Sequence, residues 1–332
     1  MAYLMEVEAL REAIFEVDAA GFESIAKEVF LFQYQQNNIY RNYTDAIGCR
    51  VSAVSCLSDI PFLPIRFFKT HAVTATTFEP GVLFESSGTT ETVNSRHLVK
   101  DAGLYVSSFT KAFELFYGHA ENYCILGLLP SYLERGHSSL VYMVDQLIRD
   151  SRHPRSGFYL HDLETLARTL EVLEKNGQKT LLIGVTYALL DFAEQFPMPL
   201  QHTTIMETGG MKGRRKELIR AEVHNRLKQC FEVPVVHSEY GMTELLSQAY
   251  SKGDGIFFTP PWMRAVLREE DDPLSVVTRP ERGVLNIVDL ANLYSCSFIA
   301  TDDLGVVHAD GGFEVLGRRD NSDIRGCSLL AL

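Results

Sequence analysis

Between residues 80 and 240, short apolar runs alternate with amphipathic helical segments, and this alternation most restricts what the chain can become. Residues 82–84, 123–129, 180–185, 203–206 and 233–237 read as strands. Val106, Phe109, Phe113 and Phe116 mark one face of a helix, as do Leu163, Leu166, Leu170 and Leu173, while residues 218–227 belong to another. Pro130 stops the second strand and Gly177 closes the second helix. Strands that alternate with helices favour parallel pairing through helical crossovers, so the expected class is α/β.

The flanks read differently. Leu10, Ile14, Val17, Phe22, Ile25, Val29 and Phe30 recur at roughly helical spacing, ahead of a polar stretch at 33–44. Pro61 and Pro64 punctuate an apolar segment, 59–68, which reads as chain crossing the surface of a core. Beyond residue 256 the chain becomes β-rich, with runs at 284–288, 297–301, 305–308 and 313–316. No repeat or long linker interrupts it. The expected organisation is one catalytic body, 1–316, with 1–80 packed on it as a helical and loop region, and a short tail, 317–332.

The chain's 332 residues, 46% hydrophobic and 22% charged, are enough for a large core. A formal charge of −12 argues against a nucleic-acid partner, which needs an excess of Lys and Arg, but leaves room for a local anion site. The first residues lack the basic and apolar regions of a signal peptide. No apolar run approaches the ~18 residues a membrane span requires, since the longest, 180–192, is broken by Gly184, Thr186 and Asp191. Cys49, Cys56, Cys124, Cys230, Cys296 and Cys327 are scattered without a CxxC pair, the pattern of reduced thiols. A soluble, cytoplasmic protein is expected.

Five segments carry possible chemistry. Ser86, Ser87, Gly88, Thr89 and Thr90 follow an apolar run, and such a loop turns N–H and O–H groups toward one point, as a polyphosphate requires. An ordinary Ser/Thr turn fits the same residues, and no Walker A loop occurs. In the second, Glu207-Thr208-Gly209-Gly210 precedes Lys212, Arg214, Arg215 and Lys216; the glycines admit a planar ligand and the cations an anion, or the whole is a solvated basic turn. Tyr240-Gly241-Met242-Thr243-Glu244 suits a base, a phosphate and a metal ion, or equally a helix start capped by Thr243. Thr301-Asp302-Asp303 offers carboxylates to ribose hydroxyls, or forms a turn. Gly317-Arg318-Arg319 is the last, with an exposed basic turn as its plainer reading.

In this order the five resemble the adenylate-forming superfamily of acyl-CoA synthetases, luciferases and peptide-synthetase adenylation domains, and within it the LuxE-type acyl-protein synthetases. The resemblance runs from Phe84 to Cys327. It implies the catalytic-domain fold of those enzymes, with mixed and parallel sheets flanked by helices. It also implies use of ATP with Mg²⁺ to convert a carboxylic acid, a fatty acid by this resemblance, to its acyl-adenylate. Ser86 to Thr90 would surround the phosphates, Gly209 and Gly210 line the adenine, and Tyr240 stack on it, with Gly241 beside it in the nucleotide site. Thr243 would contact the α-phosphate, Glu244 hold Mg²⁺, and Asp303 bind the ribose with help from Arg318. The loop departs from the family by continuing Glu91-Thr92-Val93-Asn94, without the usual lysine, which leaves Arg96 or His97 as nearby substitutes. Relatives also continue into a mobile domain with a catalytic lysine, whereas 15 residues follow Gly317 here. Lys212, Arg214 or Arg215 is expected to supply the missing charge.

The same resemblance assigns Cys327, beside Arg325, as the thiol that receives the acyl group before a partner protein such as a reductase. A neighbouring cation favours the thiolate, although a small residue anchoring the tail fits as well. His137, Phe113, Phe116, Tyr117 and Tyr142 are candidates for an acyl pocket or for plain core. Three other functions remain open: a ligase serving coenzyme A or a carrier protein, a thiol acyltransferase independent of ATP, and a non-catalytic nucleotide-binding module.

Overall fold

The computed structural model describes residues 6–86, 93–129, 136–209, 218–270, 272, 274–277 and 282–319. The described chain opens with α1 (Val7–Glu16), α2 (Phe22–Gln36) and α3 (Asn38–Ala46). Leu10, Ile14, Phe22, Val29 and Phe30 are buried, so the apolar stripe read from the sequence is the packed face. Asn37 separates α2 from α3 and caps the latter, its side chain accepting the Tyr40 N–H at 2.9 Å.

β1 (Leu63–Pro64) and α4 (Phe67–Thr70) follow, then the antiparallel pair β2 (Val82–Glu85) and β3 (Arg96–Val99), and α5 (Ala102–Tyr117). The alternating region comprises β4 (Cys124–Leu128), α6 (Ser139–Ser151), β5 (Gly157–Phe158), α7 (Leu163–Lys175), β6 (Thr180–Gly184), α8 (Thr186–Gln195), β7 (Thr203–Glu207), α9 (Arg220–Phe231) and β8 (His237–Tyr240). Strands then dominate: β9 (Ala249–Ser251), β10 (Ile256–Phe257), β11 (Met263–Arg268), β12 (Val276–Val277), β13 (Arg282–Asp289), β14 (Phe298–Val307) and β15 (Phe313–Arg318).

Among the described residues one sheet has the order β5-β4-β6-β7-β8-β9, parallel up to β8 and antiparallel at β9. β4 and β6 are buried along their whole length, as expected of central parallel strands covered by helices. A second sheet, β10-β15-β14-β13-β11-β12, is antiparallel, with β1 added in parallel beside β14. Because β6, β7 and β8 are parallel, the segments leaving their carboxyl ends emerge on one edge of the sheet, where α/β folds place ligands. No helix among the described residues is long and apolar enough to cross a membrane.

The α/β expectation holds, with three local corrections. The 59–68 segment does not cross the surface: Leu63 and Phe68 are fully buried, and β1 pairs with Ile299 and Ala300. The fifth strand of the first sheet lies later than 233–237, because its ladder begins at Met206↔His237 and Pro234 has no N–H to donate. Thr301-Asp302-Asp303 is no turn. It lies inside β14, which joins the two runs read separately, and Arg318 lies in β15 directly across from Asp303. Gly305 permits this continuous strand, since a Cβ there would collide with the Glu314 carbonyl and the Leu285 side chain.

Candidate active site

Side chains alternate along a strand, so neighbouring Asp302 and Asp303 face opposite ways. Asp302 meets Arg66 at 3.4 Å. Asp303 is buried and accepts from the Tyr240 hydroxyl at 2.9 Å on Oδ2 and from Arg318 Nε at 3.3 Å on Oδ1. Its N–H donates to Thr301 Oγ1 at 3.0 Å, and that hydroxyl donates to the Leu285 carbonyl, which fixes the strand at this point. Of the two aspartates, Asp303 is the one gathered with Tyr240 and Arg318. Each of its oxygens keeps lone-pair capacity for a ligand hydroxyl. Burial, with the Asp303 charge beside it, holds the Tyr240 hydroxyl well above its ordinary pKa, so it remains a donor. The Tyr240 ring packs edge-on against Phe313, with centroids 5.4 Å apart.

The chain leaves β8 through Gly241, where a Cβ would lie 2.5 Å from Glu239 Oε1. No helix follows Thr243, so the reading of Thr243 as a helix cap fails. The 241–248 turn is held instead by distant side chains. His97 Nδ1 donates to the Thr243 carbonyl at 2.9 Å, and Asn292 Nδ2 donates to the Glu244 carbonyl at 2.7 Å. Asp289 accepts the N–H groups of Leu246 and Ser247 and the Ser247 hydroxyl at 2.6–2.9 Å. Burial pushes the Asp289 carboxyl up to about 6, against those hydrogen bonds.

Glu244 is buried. Burial raises its pKa, opposed by the Ser95 hydroxyl and by the charges of Arg318 and Lys69. Ser95 closes the base of the Ser/Gly/Thr loop: Ser86 N–H donates to its carbonyl at 3.0 Å, and its own N–H donates to Ser86 Oγ at 2.9 Å. The loop base, Glu244, Arg318, Asp303 and Tyr240 therefore form one linked group. His97 does not replace the missing lysine. It is 1% exposed, burial lowers its pKa to about 4, and it is neutral.

Glu207 was given no role from the sequence, yet it organises the second segment. Its Oε2 accepts from Gly209 N–H at 2.8 Å and Thr186 Oγ1 at 3.0 Å, and its Oε1 accepts from Ser238 Oγ at 2.9 Å and Arg220 Nε at 3.3 Å. Burial alone would push this carboxyl up, but His224, the Arg220 charge, Gly209 and Ser238 together hold it at about 2. Gly209 takes φ +74°, a conformation suited to glycine. Arg220 also donates to the Val315 carbonyl at 3.1 Å and stacks over Phe257, which links this segment to β15. The available signal was a lone acid at a strand end just before paired glycines.

Glu239 stands cross-strand from Tyr250. Burial, then the nearby Glu207 charge, raises its carboxyl to about 8. The folded pKa thus lies above the unfolded one, the native state holds the proton more tightly, and stability falls as pH rises from about 4 to 8, by on the order of 5 kcal/mol in total. Glu239→Gln is expected to flatten urea-denaturation stability across this window and to gain most at pH 8. Parallel curves for variant and wild type would contradict the assignment.

Ser87, Gly88, Thr89, Thr90, Gly210, Lys212, Arg214, Arg215 and Cys327 lie outside the described residues. Phe113, Phe116, Tyr117 and Tyr142 pack within or against the core, and His137 Nδ1 lies 3.2 Å from the Leu83 carbonyl. Cys49, Cys56, Cys124, Cys230 and Cys296 are free thiols. Among the described residues no three His, Cys, Asp or Glu side chains converge as a metal cage. A single carboxylate such as Glu244 instead suits a hard cation that brings phosphate oxygens as its other ligands.

No protein-family model matches the chain. It is similar to the long-chain-fatty-acid–luciferin-component ligase of Aliivibrio fischeri, 24% identical over an alignment of 349 positions, gaps included, that covers 96% of this chain and 90% of that protein. Among solved structures it is similar to ATP-bound MatB from Rhodopseudomonas palustris, with a TM-score of 0.53, 15% identity and 75% of this chain covered. The chain spans about half of that protein, 49% of its length. A 2-hydroxyisobutyryl-CoA ligase in complex with 2-HIB-AMP and CoA gives a TM-score of 0.62 at 14% identity, covering 96% of this chain and 73% of the ligase. The fold is that of adenylate-forming ligases.

Proposed function

We propose that this chain is a ligase that activates a carboxylic acid, in our reading a long-chain fatty acid, with ATP and passes the acyl group to a thiol. The gathering of Ser86, Tyr240, Glu244, Asp303 and Arg318 carries the reading, and similarity along nearly the whole chain to a fatty-acid ligase supports it. In the first step a carboxylate oxygen bonds to the α-phosphorus of ATP, the α–β phosphoanhydride breaks, and pyrophosphate leaves. In the second a thiolate attacks the acyl carbonyl and AMP departs.

Two anions meet in the first step, so positioning and charge neutralisation set its rate. In this reading Asp303 accepts from the ribose hydroxyls, Arg318 orients Asp303, and Gly209, Gly210, Tyr240 and Gly241 border the base. The 86–90 loop and Thr243 donate toward the phosphates. Glu244 fits one Mg²⁺ ion, which when bound offsets phosphate charge. Lys212 or Arg214 supplies a further cation, and Cys327 is the proposed internal thiol. The cytoplasm, where thiols stay reduced, is the proposed setting.

Pyrophosphate exchange into ATP across a panel of acids is the deciding measurement. Exchange that depends on a long-chain acid is expected, and none with any acid would overturn the reading. Labelled acyl group should then remain on denatured protein and disappear in Cys327→Ala. The CoA complex of the similar ligase favours a second reading, an external thiol, which predicts label released only when coenzyme A is added.

A further inference from the structure

The Thr243–Glu244 turn is held through its backbone carbonyls by two buried side chains, His97 and Asn292. His97 Nδ1 bonds the Thr243 carbonyl, and Asn292 Nδ2 bonds the carbonyls of Glu244 and Cys296 at 2.7 and 2.9 Å. A carbonyl only accepts, so Nδ1 carries the ring hydrogen, and in a neutral imidazole Nε2 is then an acceptor. The Asn292 amide is fixed as well, because its NH₂ serves two carbonyls. The two side chains also interact with each other: Asn292 raises the pKa of the His97 imidazole, against the larger lowering by burial.

We infer that His97 and Asn292 are positioning residues for the Thr243–Glu244 turn, a lock that holds it through its two backbone carbonyls. The role of the turn itself rests on the adenylation reading; the lock does not. Phe68 packs edge-on against the imidazole at 5.7 Å and helps hold the ring plane. Because His97 comes from β3, just after the Ser/Gly/Thr loop, the lock fixes that loop's exit strand relative to Glu244.

Two measurements on the full chain test this. Nitrogen NMR of histidine-labelled protein, with His97 assigned by its loss in His97→Asn, is expected to show the neutral Nδ1–H tautomer at pH 7. An Nε2–H tautomer overturns the assignment whether or not the protein is a ligase. In pyrophosphate exchange, His97→Leu is expected to raise KM for Mg·ATP by roughly 10–100-fold, the usual cost of removing a group that orients a ligand-binding residue. His97→Asn, whose amide N–H can take the place of Nδ1–H, should recover most of that affinity. Leucine and asparagine variants with equal KM would reduce His97 to a packing residue. Absent exchange in the wild type sinks the adenylation reading alone, and the tautomer still decides the lock.

Discussion

Glu244→Gln is expected to lower acid-dependent pyrophosphate exchange by about 10²–10³-fold, the cost of losing one well-aimed electrostatic group. The side chain keeps its shape, an amide oxygen can still accept from the Ser95 hydroxyl, and the turn is held through its backbone carbonyls by His97 and Asn292. Burial already raises the Glu244 pKa, so removing the charge relieves the folded protein. The expected pattern is therefore a thermal midpoint equal to or above that of wild type, with a higher KM for Mg·ATP and a lower kcat. Steady-state exchange kinetics beside a melting curve would check it. A variant with wild-type kcat/KM would remove Glu244 from the site.

Glu207→Ala is expected to be the most destabilising single change discussed, by about 3–5 kcal/mol, the usual cost of breaking a buried ion pair from one side. It leaves the Arg220 guanidinium, His224, two hydroxyls and the Gly209 N–H without the carboxylate they share. The effect carries a pH signature. The folded pKa of about 2 lies below the ordinary value, so this stabilisation is present above about pH 4.5 and lost as pH falls toward 2. Urea titrations at pH 7 and pH 3 should show the gap between wild type and variant narrowing at the lower pH. A loss under ~1 kcal/mol at pH 7 would mean the hub is not coupled as the geometry indicates.

Much of the frame was legible beforehand. The helical stripes of α2, α5 and α7 and the buried runs of β4, β6 and β7 follow from residue periodicity, which is a local property. Tyr240, Glu244, Asp303 and Arg318 were identified by motif order, and the structure brings them together with the loop base at Ser86 and Ser95. The misreadings were those in which local chemistry was outvoted. An Asp-Asp pair favours a turn, yet β13 and β15 flank it and draw it into a continuous ladder. Two prolines favour an exposed loop, yet Leu63 gains more from burial beside β14.

What residue order settled without help is the α/β pattern, the apolar faces and the segments rich in ligand-binding groups, because each depends on neighbours within a turn or two. Only the tertiary structure chose Asp303 over Asp302, made Glu207 a hub, and set His97 beneath a carbonyl 146 positions away. Those choices turn on which face of a strand is buried and which distant donor meets an acceptor there. Burial makes each such pairing decisive, and burial is a property of the packed chain, not of its local spacing.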